Sequence, residues 1–147
     1  MASFAYTNFK KLLFEAGINL TEAGHDVRVI LVMTNTTADT EEDVVFVGDI
    51  MDLDEYNGAA YVRKALANQA VAADNANNRG EFDADNFTWT TLGAGTRQAQ
   101  AMLLYRHITN DADSPLIAYI DTGGFPIQGN GGDISVTINA EGLLQTI

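Results

Sequence analysis

Residues 27–33 read Val-Arg-Val-Ile-Leu-Val-Met, and this run constrains the fold more than any other part of the chain. Alternation puts Val27, Val29, Leu31 and Met33 on one face of a strand and Ile30 and Val32 on the other. A strand that is apolar on both faces has to be covered on both, so it belongs in the interior of a sheet with material packed above and below. The pattern predicts a central strand over 27–33 and a domain assembled around it.

The flanking sequence offers the coverings. Phe9, Leu12, Leu13 and Ala16 fall at i, i+3, i+4 and i+7, with Lys10, Lys11 and Glu15 on other faces, which predicts a helix over about residues 5–16. Ser3 or Thr7 is placed to cap its start, and Gly17 stands where a C-cap glycine belongs. About three turns are marginal in isolation, so this helix has to pack on the sheet. Thr40-Glu41-Glu42-Asp43 has the form of a second helix start, although Val44-Val45-Phe46-Val47 has strand propensity; the reading favours a second short helix there.

From residue 59 onward the periodicity is mostly two, punctuated by Gly, Asn and Asp. Candidate strands cover 60–71, 81–91, 98–107, 116–121, 134–139 and 143–146, with 72–80 as a polar loop. Phe82 and Ala84 are out of phase with Phe87 and Trp89, which places a bulge or break at Asp85-Asn86. Gln98, Gln100 and Arg106 share one side of their strand, the mark of a sheet with one wet face. The expected fold is therefore mainly β: one domain over 1–147, an antiparallel β-sandwich of jelly-roll or immunoglobulin-like type, with the N-terminal helix and the second short one. A chain of this length buries roughly 68–70% of its unfolded surface, enough for a self-supporting core. That matters because cysteine is absent, which removes disulfides, thiolate metal sites and a cysteine nucleophile together.

Charge narrows the partners. Asp and Glu number 20 against 8 Lys and Arg, a formal net charge of −12. Such a chain lacks the clustered bases that track nucleic-acid phosphates or dock on an anionic membrane. No window approaches the roughly 18 apolar residues of a membrane span, and no apolar core follows a basic start at the N-terminus. A soluble protein without a signal peptide is expected. The charge is also uneven: Asp39, Glu41, Glu42, Asp43, Asp49, Asp52, Asp54 and Glu55 form a segment with no base in it. A solvated acidic face, a hard-cation loop and a docking surface for a basic partner are the three readings. The cation loop fails, because a calcium loop begun at Asp52 places Tyr56, Asn57 and Arg63 where a ligand, the turn glycine and the bidentate glutamate are needed.

Catalytic patterns are thin. The histidines are His25, in an Ala-Gly-His-Asp turn, and His107, in phase with Leu103 and Tyr105 at a strand end. Ser3, Ser114 and Ser135 lie in no nucleophile elbow. Gly93-Ala94-Gly95 lacks the third glycine and the helix of a dinucleotide fingerprint, and Gly129-Asn130-Gly131-Gly132 lacks the Lys and Ser/Thr of a phosphate loop; both read as turns that need positive φ. Asp83 and Asp85 share a strand face, whereas glycosidase carboxylates come from separate elements. No His-carboxylate pair has helical metal-ligand spacing, and Trp89 reads as core. The chain is expected not to be an enzyme and to hold no cofactor or metal, with no residues assigned to catalysis.

Three stretches carry a likeness to a known group. They are Phe9-Lys10-Lys11-Leu12-Leu13 with Gly17-Ile18-Asn19; Asn78-Arg79-Gly80-Glu81-Phe82-Asp83-Ala84 leading to Thr88-Trp89; and 116–126, Leu-Ile-Ala-Tyr-Ile-Asp-Thr-Gly-Gly-Phe-Pro, continuing into Asn130-Gly131-Gly132-Asp133 and the strand that follows. The sequence resembles small structural proteins of tailed bacteriophages and prophages. The resemblance implies a virion component with a short helix and a β-sandwich, and within that a capsid decoration, or cement, protein. Its expected partners are the major capsid protein and further copies of itself, as a trimer, on the capsid exterior after synthesis in the bacterial cytoplasm. A tail or neck component and a carbohydrate- or ligand-binding β-sandwich module are the alternatives.

Overall fold

The computed structural model describes residues 3–146. In chain order its elements are β1 (Phe4–Ala5), α1 (Thr7–Phe14), β2 (Val27–Met33), a 3₁₀ turn (Val47–Asp49), β3 (Lys64–Ala65), β4 (Ala70–Asp74), β5 (Arg79–Asp83), β6 (Phe87–Trp89), β7 (Ala99–Arg106), β8 (Leu116–Ile120), β9 (Ile134–Val136) and β10 (Leu144–Thr146). The fold is mainly β, antiparallel and β-sandwich-like, with one short α-helix. Its framework is a five-stranded sheet in the order β1-β8-β7-β2-β3, accompanied by a three-stranded sheet β10-β5-β4 and the pair β6-β9.

β2 has the bounds its sequence predicts and is buried throughout apart from the half-buried Arg28. β7 pairs with it from Val27–Arg106 to Met33–Ala99. On its other side the chain arrives irregularly: Tyr56 N–H donates to Leu31 O at 2.9 Å, Met33 N–H to Asp54 O at 2.7 Å, and Leu66 N–H to Val27 O at 2.9 Å. Ile30, Leu31, Val32, Leu103, Leu104 and Ile117 are fully buried. Each is worth roughly 1.5–3 kcal/mol relative to exposure, so β2, β7 and β8 are the energetic centre of the fold.

The wet face expected on β7 is not there. Met102 and Leu104, which alternate with Arg106, are 4% and 0% exposed. A bulge resets the phase: Val32 faces Ala101 but Met33 faces Ala99, which leaves Gln100 as the extra residue. Gln100 turns its amide to Tyr119 Oη at 3.0 Å. The polar residues mark the ends of this strand, where the covering layers run out.

Other boundaries also move. The 60–71 segment is not one strand: Ala60 and Asn68 both have positive φ, and the chain forms only β3 and β4 on either side of the second kink. β4 and β5 then run on through what reads as the 72–80 loop, leaving a four-residue turn in which Asp74 accepts from the N–H groups of Ala76 and Asn77. The break at Asp85-Asn86 is where the phase shift puts it, between β5 and β6. No α-helix starts at Thr40. Its hydroxyl bonds back to Thr37 O, and Val45 and Val47 are drawn instead to the strand β8 and its approach, with Leu116 N–H donating to Val45 O and Val47 N–H to Ser114 O. What remains helical in that segment is the turn Val47–Asp49, whose Asp49 carboxylate accepts from Phe46 N–H.

α1 is shorter than its predicted span, and neither predicted cap acts. Tyr6 occupies the N-cap position without a side-chain bond, while the Thr7 hydroxyl goes to Asp43 and the Ser3 hydroxyl to Asp121. The left-handed residue after the helix is Ala16, φ 51°, not Gly17. Phe9 is buried, but Phe14 is 94% exposed.

Two buried phenols, Tyr6 and Tyr119, and the half-buried Tyr61 set an alkaline limit. Tyr6 is fully buried and its hydroxyl donates to Ala38 O at 3.1 Å. Burial, reinforced by nearby carboxylates, holds Tyr6 and Tyr61 above their ordinary value of 10, and burial pushes Tyr119 up to about 12. Raised folded-state values mean that the unfolded chain loses these protons first, so their contribution is complete below about pH 10 and is lost as pH rises beyond it. Thermal melts taken between about pH 8 and pH 12 are expected to show a steady fall in Tm on the alkaline side of 10; a flat profile would contradict the assignment of these rings to the core.

Candidate functional site

Two polar hubs fix the loops around β2, and neither is evident as a motif. The first is Tyr56. Its ring is buried, and its hydroxyl donates to Gly93 O at 2.9 Å while accepting from Gly95 N–H and Gly129 N–H, each at 2.9 Å. One phenol thus joins both glycine-rich stretches, 93–95 and 129–132. The reason for glycine differs from the one expected. Gly131 alone of these has positive φ, at 89°. At Gly129 an added Cβ would stand 2.2 Å from Gly93 O, and at Gly95 it would stand 2.7 Å from the Tyr56 ring. Close approach, not backbone handedness, excludes other side chains there.

The second hub is Arg63. Its guanidinium takes Glu55 through Nε–Oε1 at 2.8 Å and Nη2–Oε2 at 2.7 Å, and Asp111 through Nη1–Oδ1 at 2.6 Å and Nη2–Oδ2 at 3.0 Å. It also lies 5.5 Å from the centre of the Tyr105 ring. Tyr61 extends the network, donating to Glu55 Oε1 at 3.0 Å and accepting from Leu31 N–H at 3.0 Å. The guanidinium beside it holds the Asp111 carboxyl below its ordinary range. The one signal for this hub in the sequence is a base placed eight residues after Glu55, just past an acidic run.

The acidic segment is ordered and only partly neutralised. Asp54 pairs with Arg97 and accepts Asn35 N–H at 2.8 Å, and Glu55 belongs to the Arg63 hub. Glu41 accepts from Thr37 Oγ1 and Met51 N–H, both at 3.0 Å, and Asp43 from Thr7 Oγ1 at 2.8 Å. Among the described residues, ion pairs involve only these two of the eight acids, Asp54 and Glu55. Asp39, Glu41, Glu42, Asp43, Asp49 and Asp52 therefore present charge that no ion pair compensates, and Glu42, Asp43, Asp49 and Asp52 are exposed.

Two recesses flank the 121–127 loop. One, of about 330 Å³, is largely apolar and runs between the main sheet and β9, lined by Met102, Ile120, Phe125, Ile134, Val136 and Leu143 among others. The other, of about 320 Å³, is bounded by Thr34, Asp39, Gln100, Tyr119, Asp121 and Phe125, with Pro126 at its rim. The second holds carboxylates, an amide, a phenol and an aromatic ring together, a set suited to a hydroxyl-rich or cationic ligand.

The sequence candidates for catalysis are dispersed and occupied. Ser3 donates to Asp121, Ser114 to Asn110 O at 2.7 Å, and Ser135 shares a 2.8 Å bond with Thr88. His25 Nδ1 accepts from Asn19 N–H at 3.0 Å, which ties a turn, and burial together with the Arg106 charge lowers its pKa. His107 stacks edge-on to Tyr105. Asp83 caps Ala84 N–H, whereas Asp85 takes Asn68, so the two carboxylates serve different turns. Trp89 is fully buried, its indole N–H donating to Val62 O at 2.7 Å. Among the described residues no three His, Asp or Glu side chains stand together as a metal site, and no helix is long and apolar enough to cross a membrane. No family model, curated protein or solved structure matches the chain.

Proposed function

We propose that this chain is a non-enzymatic structural protein of a tailed-phage virion: a decoration protein that binds the assembled major capsid protein from outside and stabilises the shell. The observation that carries the reading is the acidic stretch between Asp39 and Asp52, six carboxylates without basic partners among the described residues, of which Glu41, Asp43 and Asp49 are held in place by hydrogen bonds. Uncompensated charge concentrated in one segment steers a protein to a basic surface. The sequence resemblance supports the virion setting, and the net charge of −12 suits a protein that must stay soluble at high copy number before it attaches. Decoration sites at local threefold positions favour a closed ring of three copies.

The electrostatic part is tested on side chains that do not also hold the fold. Glu41 and Asp43 are unsuitable, because each accepts hydrogen bonds from other segments. Glu42→Gln with Asp52→Asn removes two exposed charges, and association with emptied capsid shells is expected to slow several-fold at low salt. The difference should vanish at high ionic strength. Attachment indifferent to both salt and substitution contradicts this mode of docking.

The recess at Gln100, Tyr119 and Phe125 favours a second reading, a ligand-binding β-sandwich module for saccharides. A glycan-binding screen that gave saturable binding, lost in Gln100→Ala, would replace the decoration reading with this one.

A further inference from the structure

The recess at the Gln100 bulge is built on rigid parts. Tyr119, which lines it, is 1% exposed, and its ring stacks on Phe4 with centroids 5.3 Å apart. Gln100 donates an amide N–H to the Tyr119 hydroxyl at 3.0 Å. The Phe125-Pro126 wall is tied to the bulge by Ile127 and Ala99, which exchange two backbone hydrogen bonds of 2.8 Å. At about 320 Å³ the recess stands at the low end of ligand sites, roughly 300–1,000 Å³, with room for a single head group.

Its chemistry is one-sided. Asp39 is half-buried and has no hydrogen-bond or ion-pair partner among the described residues. Gln100 keeps its carbonyl oxygen as an acceptor, and Asp121 adds a second carboxylate. Burial is the main reason that the Tyr119 phenol is pushed up to about 12, and both Asp39 and Asp121 reinforce it, so the two acids bear on one point. No lysine or arginine among the described residues lines the recess. An acceptor-rich, negative recess suits a ligand that only donates. Sugar hydroxyls accept as well as donate, and being neutral they leave the Asp39 charge unanswered. Arginine has five N–H donors and no acceptor, a permanent charge, and a plane that stacks on an aromatic ring such as Phe125. Lysine offers a strongly hydrated point charge without that plane.

We propose that this recess binds the guanidinium of an arginine side chain presented by a partner protein, with the Asp39 carboxylate taking its N–H groups and the Phe125 ring lying against its plane. Asp39 is also the first acid of the stretch that ends at Asp52, so a basic partner drawn to that stretch arrives at the recess. The assignment rests on the basic partner of the reading above and not on the virion setting.

Titrating the full chain with N-acetyl-arginine amide, followed by backbone amide NMR, tests it without any capsid, so the outcome is separate from the attachment test on Glu42 and Asp52. Saturable shifts are expected at Gln100, Tyr119 and Phe125, with a Kd of about 1 mM. Asp39→Asn keeps the shape of the side chain and is expected to weaken binding roughly tenfold, with unchanged Trp89 fluorescence reporting an intact fold. On the parent protein, N-acetyl-lysine amide is expected to bind several-fold more weakly and methyl glucoside not at all. No saturable shift at these three residues would overturn the proposal, as would arginine binding that Asp39→Asn leaves intact. Equal binding of the lysine compound would reduce it to plain charge attraction, and binding of methyl glucoside in place of arginine would give the recess to a saccharide; either result overturns it.

Discussion

Tyr56→Phe is expected to destabilise the protein by about 2–4 kcal/mol, although it removes a single oxygen atom. That oxygen serves three backbone groups, Gly93 O, Gly95 N–H and Gly129 N–H. The phenylalanine ring fits the same space but leaves all three without it. Gly129 is buried, so its N–H bears the full desolvation cost of about 1–3 kcal/mol. Gly93 and Gly95 are half-buried and recover part of theirs from water. For a chain of this size the sum lowers Tm by roughly 10 °C, as measured by melting followed through Trp89 fluorescence. Gly129→Ala is expected to be harsher still, since its Cβ would have to displace the Gly93 peptide. A Tyr56→Phe protein that melts like the parent would show that the two glycine loops hold themselves.

Arg63→Met is expected to cost roughly 3 kcal/mol near neutral pH, the low end for removing one member of a buried ion pair, because the cluster keeps some solvent contact. The methionine keeps an apolar side chain of similar length but loses the guanidinium over the Tyr105 ring and strands two carboxylates that have no other ion-pair partner among the described residues. The pH dependence separates charge from packing. Asp111 has its folded-state pKa depressed by the guanidinium, so its contribution is complete above the ordinary carboxylate value of 3.8 and is lost as pH falls below it. The gap between parent and Arg63→Met is therefore expected to narrow as the solution is acidified through about pH 4. Denaturant titrations at several pH values measure it; a gap that is constant with pH would mean that packing, not ion pairing, is what was lost.

The parts of the fold that could be read from residue order are those where a single local rule decides. β2 is legible because seven apolar-dominated residues leave no alternative to two-sided burial, and the break at Asp85-Asn86 is legible because the phase of Phe82 and of Trp89 cannot be reconciled in one strand. Where two rules compete, local pattern misleads. Thr40-Glu41-Glu42-Asp43 has helix-start chemistry, but the β-branched residues after it find better partners beside β8. Gln98, Gln100 and Arg106 look like one polar face because a bulge at Gln100 is invisible in the spacing. The hub at Tyr56 is not legible, since its partners lie tens of residues away, and the hub at Arg63 shows only as a base eight residues after Glu55, with Asp111 out of sight 48 residues on. The acidic segment was visible as composition; which of its carboxylates are already engaged was not.

The proposal that this chain is a capsid decoration protein is tested most directly by its copy number and position in virions purified from cells that express it. Quantitative mass spectrometry together with particle imaging is expected to find the protein in hundreds of copies on the outer surface of the head, at or near local threefold positions. A few copies confined to the tail or neck, or none in the particle, would contradict it.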